Sequence, residues 1–347
     1  MEPKLKHYTV AEIRGWLINN QPVDGLSEHI IDSPRVWAII NNPFVKDNDP
    51  VLAVIFIDKD VAAYVSALPE LINGERQWWF SALWCNPEYR GQGFGLVVIG
   101  SLAEVYGIEN CYDKWVAEDT IEIFSYLGHK TSYTKRYIFG CKINKDSIKG
   151  KISHFIRMSQ RFIHRFFEAN LHKDYAIKYL SCIDDATYQF ISNNQKDNYF
   201  IHSQEMLNWV LHCSFTSSAP LHSRIDIANA FSSYESTDNQ MYAVQVLSGD
   251  QLVGVYIMKQ KGNCLHVFYL YYVDTASEIV FASIKDHIRQ MNISQFATED
   301  AQLAAYLREN VYFPKYNEIE VSFSHPSVIK MPENYSLQYG DGDNYTI

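Results

Sequence analysis

The sequence predicts an α+β protein made of two similar units in tandem, each a mixed, mostly antiparallel sheet flanked by helices. Three observations lead to this prediction. Strand patterns alternate with helix patterns, the same order of elements occurs twice, and 47% of the 347 residues are hydrophobic. This length and composition suffice for two buried cores and exclude disordered and fibrous proteins.

The first unit opens with a predicted hairpin. Residues 51–57 are continuously apolar, residues 58–60 read Asp-Lys-Asp and form the turn, and residues 61–68 return to β-rich composition. A third strand covers residues 78–85 and stops at Asn86-Pro87. A glycine-rich turn follows, and then a helix with its apolar residues at helical spacing, namely Leu96, Ile99, Leu102, Ala103 and Tyr106.

The rest of the first unit is short. Residues 115–117 are predicted to end a further strand. Asp119 and Glu122 then have the spacing of a capping box, and Gly128 lies where a glycine would end the helix. Residues 133–143 return as a strand or hairpin. We therefore expect an N-terminal domain at residues 1–145.

The second half repeats this order. An amphipathic linker helix is predicted at 146–175, with a basic stripe that we interpret as a solvated face, and a second domain follows at 176–347. Its predicted strands are 242–247, 252–259, 264–273, 293–297 and 318–323, with helices at 277–291 and 300–309. The order of elements recurs although the residues themselves do not.

The stretch from Leu83 to Leu96, LWCNPEYRGQGFGL, carries the predicted chemistry. A strand that runs through a glycine-rich loop into a helix presents backbone N–H groups at the positive end of a helix dipole, which favours a pyrophosphate. Glycines let the backbone approach the ligand, and Arg90 adds charge-assisted hydrogen bonds. The loop matches neither the dinucleotide-binding fingerprint nor the P-loop, so a purely structural turn is the remaining alternative.

These residues resemble the acetyl-CoA motif of the GNAT (GCN5-related N-acetyltransferase) family, R/Q-x-x-G-x-G/A, which Arg90, Gly93 and Gly95 match. The preceding Asn-Pro-Glu-Tyr is also similar, and the order of elements over residues 51–143 agrees. The resemblance implies a tandem GNAT-like protein with acetyl-CoA as co-substrate, bound by residues 86–96 and by the end of the preceding strand. The cofactor-binding residues predicted in this way are Leu83, Trp84, Cys85, Arg90, Gly91, Gln92, Gly93, Phe94, Gly95 and Leu96.

The catalytic residues are harder to assign. In the family, a tyrosine in the pattern F-Y-x-x-L-G-F often acts as the general acid. The corresponding residues here are IFSYLGH, so Phe124 takes the position of that tyrosine. Tyr126 lies two residues further, which turns it about 200° away on a helix. We list Glu88, Glu118 and Tyr126 as candidates. His129 is expected to favour the helix C-terminus rather than to act as a base.

The loop of the second unit and the cysteines give two further expectations. In the second unit the corresponding loop, VDTASE, has no glycine and carries two acids, so this unit is expected to be a degenerate copy that walls a substrate cleft or pairs two chains as a homodimer. Cys85 lies in a segment without histidine, which favours a buried strand cysteine over a nucleophile. The six cysteines are widely separated and suggest neither a disulfide framework nor a zinc site, so no metal is expected.

The leading hypothesis is an N-acetyltransferase that moves an acetyl group from acetyl-CoA to a primary amine of a small molecule or peptide by direct attack. A non-catalytic acyl-CoA-binding sensor or scaffold is the alternative, and tRNA-dependent aminoacyl transfer ranks last. The formal charge of −10 argues against a nucleic-acid partner. Without a signal peptide or an apolar run of membrane-spanning length, a cytoplasmic protein is expected.

Overall fold

A computed structural model describes residues 2–19, 23, 38–116, 118–140, 175–195, 198–211, 239–291, 293–311, 313, 315–329, 331 and 335–342. The predicted linker helix at 146–175 lies outside these residues, apart from its last position. The chain forms two compact units. Unit 1 comprises Met1–Thr134, Asp197–Asn239 and Val321–Ile347, and unit 2 comprises Lys135–Lys196 and Gln240–Glu320.

Unit 1 contains most elements of the first half of the chain. Its elements in chain order are β1 (Pro3–Thr9), α1 (Val10–Asn19), β2 (Pro50–Ile57), β3 (Asp60–Ile72), β4 (Glu75–Cys85), α2 (Phe94–Tyr106), β5 (Cys111–Lys114) and α3 (Glu118–Tyr126). The strand β6 (His129–Phe139) begins in unit 1 and ends in unit 2.

The sheet of unit 1 is mostly antiparallel. Its strands lie in the order β1, β2, β3, β4 and β5, and only the β4–β5 pair is parallel. The predicted hairpin is confirmed, because β2 and β3 pair from Leu52 opposite Ser66 to Ile57 opposite Asp60. Burial follows the apolar run, since five consecutive residues of β2, 51–55, are buried.

Unit 2 has the corresponding elements. They are β7 (Ala176–Leu180), α4 (Asp185–Asn193), β8 (Asn239–Ser248), β9 (Gln251–Lys261), β10 (Cys264–Tyr272), α6 (Ser277–Gln290), β11 (Gln295–Thr298) and α7 (Ala301–Asn310), while α5 (Gln204–Leu211) belongs to unit 1. The strand β12 (Tyr316–Pro326) begins in unit 2 and ends in unit 1.

The sheet of unit 2 repeats the pattern of unit 1. Its strands lie in the order β7, β8, β9, β10 and β11, and β10 and β11 are parallel like β4 and β5. In both halves a short 3-10 turn separates the third strand from its helix, at Pro87–Tyr89 and at Asp274–Ala276. The prediction of an α+β fold with two similar units in tandem is therefore confirmed.

The two repeats exchange their last strand, which the sequence pattern does not reveal. In unit 1 the neighbour of β5 is β12, with Phe323 opposite Lys114. In unit 2 the neighbour of β11 is β6, with Phe296 opposite Phe139. This exchange explains why each compact unit includes residues from both halves, while the domain boundaries at 145 and 175 stay a prediction.

Two elements differ from the sequence prediction. The strand predicted to end at residues 115–117 is β5, which ends at Lys114 because Trp115 has a left-handed backbone (φ 66°) and cannot continue an extended strand. The helix α3 begins at Glu118, so Asp119 lies inside the helix instead of at its cap.

The strand β1 and the helix α1 were not predicted from the sequence. β1 is an edge strand with three exposed residues at its start, so it lacks the apolar pattern of a buried strand. A signal for α1 was present. Thr9 and Glu12 form a capping box in which the Thr9 N–H donates to Glu12 Oε2 (2.8 Å) and the Glu12 N–H to Thr9 Oγ1 (3.3 Å).

An aromatic cluster in the core of unit 1 unites distant parts of the chain. Its fully buried members come from β3, β4 and β5, from the segment before α5, from β12 and from the C-terminal segment; they are Ile72, Trp79, Tyr112, Phe200, Phe323 and Leu337.

Among the described residues, no helix has the length and apolarity needed to cross a lipid bilayer.

Candidate acyl-CoA site

A bulge bends the last part of β4. The pairing with β3 shifts between Ser66 opposite Ser81 and Tyr64 opposite Trp84, so β4 carries one extra residue there. Ala82 in this bulge has φ 56°, a left-handed backbone that is rare for residues other than glycine. The bend redirects the end of β4, which leads into the glycine-rich loop.

β4 also leaves its other neighbour at this point. The parallel β4–β5 ladder has two pairs, Trp78 with Cys111 and Trp79 with Tyr112, and it does not extend to residues 80–85. The last two residues of β5 pair only on the opposite edge of the strand, with β12. The two parallel strands therefore diverge towards their carboxyl ends.

Asn86 fixes the start of the loop to the sheet. Its N–H donates to the Ala62 carbonyl (2.9 Å), and its side-chain Nδ2 donates to the Val61 carbonyl (3.4 Å). Its Oδ1 accepts the N–H of Glu88 (3.1 Å), which starts the 3-10 turn. The loop therefore has a defined conformation where it leaves the strand.

Gly91 and Gly93 shape the loop. Both have left-handed backbones, with φ near 80°, and a Cβ added at either would meet no atom within 4 Å. Their conformation favours glycine, and the space beside them is open. Gly93 is the N-cap of α2 and, within the part of the chain that the structure describes, no side chain caps this helix end.

The first turn of α2 is therefore suited to an anion. Val97 makes the first hydrogen bond within the helix, to the Gly93 carbonyl (3.1 Å), so the N–H groups of residues 94–96 have no partner inside the helix. These groups and the helix dipole place partial positive charge at the loop. Arg90, which is exposed, adds a full positive charge there, and its Nε donates to the Cys85 carbonyl (3.4 Å).

Gly95 serves a different purpose from its two neighbouring glycines. It is buried, and a Cβ there would lie 3.3 Å from Cys85 Sγ and 3.3 Å from Ile123 Cδ1. Its absent side chain allows α2 to approach the end of β4. Its N–H also donates to the Cys85 thiol. Glycine at position 95 was predicted to let the backbone approach a ligand. In the structure it lets the backbone of α2 approach β4.

Burial raises the pKa of the Cys85 thiol above its ordinary value, although Arg90 and the Gly95 N–H oppose the shift. The group is therefore a protonated thiol at neutral pH. This agrees with the prediction that Cys85 is not a nucleophile.

The other predicted cofactor-binding residues lie around this loop with varying exposure. Gln92 is exposed, Trp84 is 38% exposed, and Leu83, Phe94 and Leu96 are half-buried. Phe94 contacts the ring of Tyr89 edge-on, with centroids 6.4 Å apart. The structure thus brings all ten predicted residues to one strand end, one loop and one helix start, while their binding role stays a prediction.

All three candidate catalytic residues are exposed. Glu88 is exposed on the 3-10 turn, Glu118 is exposed at the start of α3, and Tyr126 is 79% exposed near the end of α3. Phe124 is fully buried and packs against Phe80 and His129, with ring centroids 5.9 Å and 5.3 Å apart. A hydrocarbon ring therefore fills the position of the family's tyrosine.

His129 does not have the role expected from the sequence. It is buried, with Nδ1 3.0 Å from Ser324 Oγ and Nε2 3.1 Å from the Ile108 carbonyl. Burial lowers its pKa to about 4 despite the bond to Ile108. A neutral ring gives no favourable charge at a helix C-terminus, so that expectation is wrong.

Unit 1 also contains a buried charged triad that no sequence pattern predicts. His202 Nδ1 contacts Glu70 Oε1, and His202 Nε2 lies 2.8 Å from Asp341 Oδ1; all three side chains are buried. Trp79 Nε1 donates to Glu70 Oε2 (2.7 Å). Single acidic and basic residues so far apart in the chain give no signal in the sequence.

The loop of unit 2 that corresponds to the glycine-rich loop before α2 lacks the features of an anion site. The helix α6 has Ala276 at its N-cap, and the exposed carboxylates of Asp274 and Glu278 flank that helix end. Negative charge at a helix N-terminus occupies the place where a phosphate would bind.

Among the described residues, no group of three or more His, Cys, Asp or Glu side chains is placed to hold a metal ion.

No protein-family model matches the sequence, and no curated protein matches it either. Several solved structures are similar. A tandem GNAT protein from the clavulanic acid biosynthesis pathway is 9% identical, with 92% of this chain and 98% of that chain covered and a TM-score of 0.49. A GCN5-related N-acetyltransferase from Anabaena variabilis is 11% identical, with 93% and 72% covered and a TM-score of 0.48.

An N-myristoyltransferase from Saccharomyces cerevisiae with bound myristoyl-CoA is 11% identical, with 100% of this chain and 85% of that chain covered and a TM-score of 0.49. Identities this low establish no ligand or activity for this chain, so its own residues must carry the functional proposal. In its structure, the chain is similar to GCN5-related N-acetyltransferases, and its own topology shows two units with the same order of strands.

Proposed function

We propose that the chain is an N-acyltransferase that moves an acetyl group from acetyl-CoA to a primary amine. One observation carries the proposal: the uncapped start of α2 follows a loop with left-handed glycines and an exposed arginine. Backbone N–H groups, a helix dipole and a guanidinium are complementary to a diphosphate. Gly93 has open space beside it, which the diphosphate of CoA would fill.

The diverging strands give the remainder of the co-substrate a place to bind. A pantetheine arm is an extended chain with amide groups, and it pairs readily with the backbone of an open strand edge. Residues 83–85 of β4 offer such an edge, since the β4–β5 ladder stops at Trp79. The thioester is then held where the two strands separate.

The acetyl group moves by direct attack in this proposal. The amine nitrogen forms a bond to the thioester carbon, the C–S bond breaks, and the nitrogen loses a proton while the departing thiolate gains one. Cys85 is close to this point, but its raised pKa keeps it as a thiol. An acyl-enzyme intermediate on Cys85 is therefore disfavoured relative to direct attack.

Three exposed residues are our candidates for the proton transfers. We propose Glu88 and Glu118 as bases that act through water, because both are exposed and lie close along the chain to the ends of the two diverging strands. Tyr126 is the candidate acid. Phe124 cannot donate a proton, which leaves solvent as another source for the thiolate.

A second candidate function is an acyl-CoA-binding sensor or scaffold without turnover. The observation that favours it is the fully buried Phe124, with its phenyl ring packed against Phe80 and His129 where an acid would be needed. The same phosphate site serves both functions. They differ only in whether CoA is released.

Calorimetry with acetyl-CoA tests the shared step, and release of CoA thiol with a panel of primary amines separates the two functions. We expect saturable binding to the unmodified protein. Arg90→Glu and Gly93→Ala are expected to weaken binding at least tenfold, because the first reverses the charge and the second strains the left-handed backbone at the helix start.

Gly249→Ala is the matched control. Gly249 also has a left-handed backbone (φ 59°) and open space beside it, but it lies in the β8–β9 turn of unit 2. We expect a similar loss of stability and unchanged acetyl-CoA affinity. If the unmodified protein gives no heat with acetyl-CoA, or if Arg90→Glu and Gly93→Ala bind it normally, the proposal is wrong.

A further inference from the structure

We propose that Trp84 and Trp115 form the acceptor subsite, and that the acceptor is a primary amine attached to an aromatic body. This inference rests on the proposed acyl transfer and names its substrate class. It starts from two large indole side chains at the ends of the two strands that diverge. Trp84 is 38% exposed and Trp115 is 39% exposed.

The topology places both residues at the same opening. β4 and β5 are parallel neighbours, and their ladder pairs Trp78 with Cys111. From this pair, Trp84 is six residues further along β4, and Trp115 is four residues further along the chain from β5. The bulge in β4 takes up one residue, so the two tryptophans lie at similar heights beyond the last paired residues.

The backbone beside this opening is strained on both sides. Among the described residues, four other than glycine have positive φ; Asp58 and Asn73 are in hairpin turns, where such residues are common, and the others are Ala82 and Trp115. Left-handed backbones at non-glycine residues persist where the surroundings hold them, and they concentrate at functional sites. Trp115 is held by its N–H, which donates to the Ser322 carbonyl (2.9 Å).

The indole of Trp84 also has a supported position. It stacks on Tyr64 across the β3–β4 pair, with ring centroids 5.5 Å apart and planes inclined by 21°. A ring fixed on one side presents a preorganised surface to a ligand, which reduces the entropy lost on binding.

The chemistry of the two strand ends selects the acceptor. Indole faces and edges favour contact with another aromatic ring, and the faces also attract an ammonium. The exposed carboxylates of Glu88 and Glu118 follow Trp84 by four residues and Trp115 by three, so each strand end has an apolar surface followed by a negative charge. An arylalkylamine matches both. A linear polyamine matches only the charges, and exposed ion pairs contribute little.

The test compares acetyl transfer to phenethylamine, cyclohexylethylamine and spermidine, using the full-length protein and saturating acetyl-CoA. We expect the lowest KM for phenethylamine. Trp84→Ala and Trp115→Gly are expected to raise its KM about tenfold and to leave the KM for spermidine nearly unchanged. Glycine adopts the backbone of Trp115 without strain, so this variant removes the ring and retains the turn.

Tyr133→Ala is the matched control, because Tyr133 is an aromatic residue of β6 that is 55% exposed and is placed in no part of the site. Its KM values are expected to equal those of the unmodified protein. Where no turnover is measurable, saturation-transfer NMR on phenethylamine with CoA present reports binding directly. The ring-proton signal is then expected in the unmodified protein and absent from both tryptophan variants.

The outcomes separate the two proposals. If acetyl-CoA binds and amines are acetylated, but spermidine is preferred or the tryptophan variants keep the KM for phenethylamine, the acceptor subsite is wrong and the proposed function stands. If acetyl-CoA does not bind, both are wrong. A tenfold rise in KM confined to the aromatic amine supports the subsite.

Discussion

Gly95 shows how a single residue sets the distance between a helix and a strand. Its Cα lies so close to β4 and α3 that an added methyl group would be 3.3 Å from both Cys85 Sγ in β4 and Ile123 Cδ1 in α3. Gly100, one and a half turns further along α2, has only Leu127 Cδ2 near, at 3.9 Å from an added Cβ. The two glycines therefore form a matched pair within one helix.

We expect opposite effects from alanine at these positions. Gly100→Ala should raise the free energy of unfolding by about 0.5 to 1 kcal/mol, because alanine loses less backbone entropy in a helix. Gly95→Ala should lower it by roughly 1 to 3 kcal/mol, because the methyl group overpacks the contact with β4. Urea unfolding measures both, and equal stabilisation by the two variants would contradict the close approach.

Residue patterns predicted much of the phosphate loop. Arg90, Gly91 and Gly93 were identified because their residue types fit the chemistry of an anion at a helix start, and the structure places them in that geometry. His129 could not be assigned in the same way. Whether a histidine is charged depends on burial and partners, here Ser324, which is distant in sequence.

At the scale of elements, the triad of Glu70, His202 and Asp341 joins three parts of unit 1. Glu70 is in β3, His202 precedes α5 and forms a bridge with Ile72, and Asp341 is in the C-terminal segment. Burial lowers the pKa of His202, but the two carboxylates outweigh it and raise the pKa to about 10. The imidazolium therefore holds these elements together while it remains charged.

The pKa of His202 predicts how stability depends on pH. An unfolded histidine titrates near 6.5, so between about pH 6.5 and 10 the folded chain binds a proton that the unfolded chain has lost. The stabilisation is complete below pH 6.5 and disappears as the pH rises towards 10. Its slope is at most about 1.4 kcal/mol per pH unit. His202→Gln should lower stability at pH 6.5 and flatten this alkaline decline in urea titrations.

His129 provides the control because its shift has the opposite sign. With a folded pKa of about 4, its unfolded form binds the extra proton, so stability falls as the pH drops from about 6.5 to 4. His129→Gln should flatten only that acidic window. An alkaline decline that persists in His202→Gln would show that other groups cause it.

The end of β5 is set by a tertiary contact that local sequence patterns do not reveal. Residues 115–117 have strand-like side chains, yet the strand ends at Lys114 because the Trp115 N–H turns towards the Ser322 carbonyl. That partner is over two hundred residues away in the sequence. Local patterns located the strand correctly within a few residues, whereas its end depends on tertiary structure.

For the whole molecule, the exchange of the last strands is the decisive feature. The order of elements predicted two repeats, and the structure confirms them, but the pattern holds no information on which strand completes which sheet. β5 receives β12, and the aromatic cluster around Trp79 and Tyr112 receives Phe200, Phe323 and Leu337 from the second half.

This architecture predicts that the two halves depend on each other. Residues 1–145 expressed alone should be poorly soluble, because the edge of β5 and the cluster around Trp79 are left uncovered. Co-expression with residues 146–347 should restore a soluble complex, measured by size-exclusion chromatography and urea unfolding. If residues 1–145 alone form a monomer as stable as the full chain, the exchanged strand is not needed.

The same strand exchange has a consequence during protein synthesis. Lys114 and its partner Phe323 are 209 residues apart. At ribosomal rates of about 5 to 20 residues per second, the edge of β5 waits roughly 10 to 40 seconds for its neighbour to be made. Almost the whole chain must therefore be synthesised before β12 can pair with β5. Until then we expect the exposed edge of β5 to be bound by a chaperone that prevents aggregation.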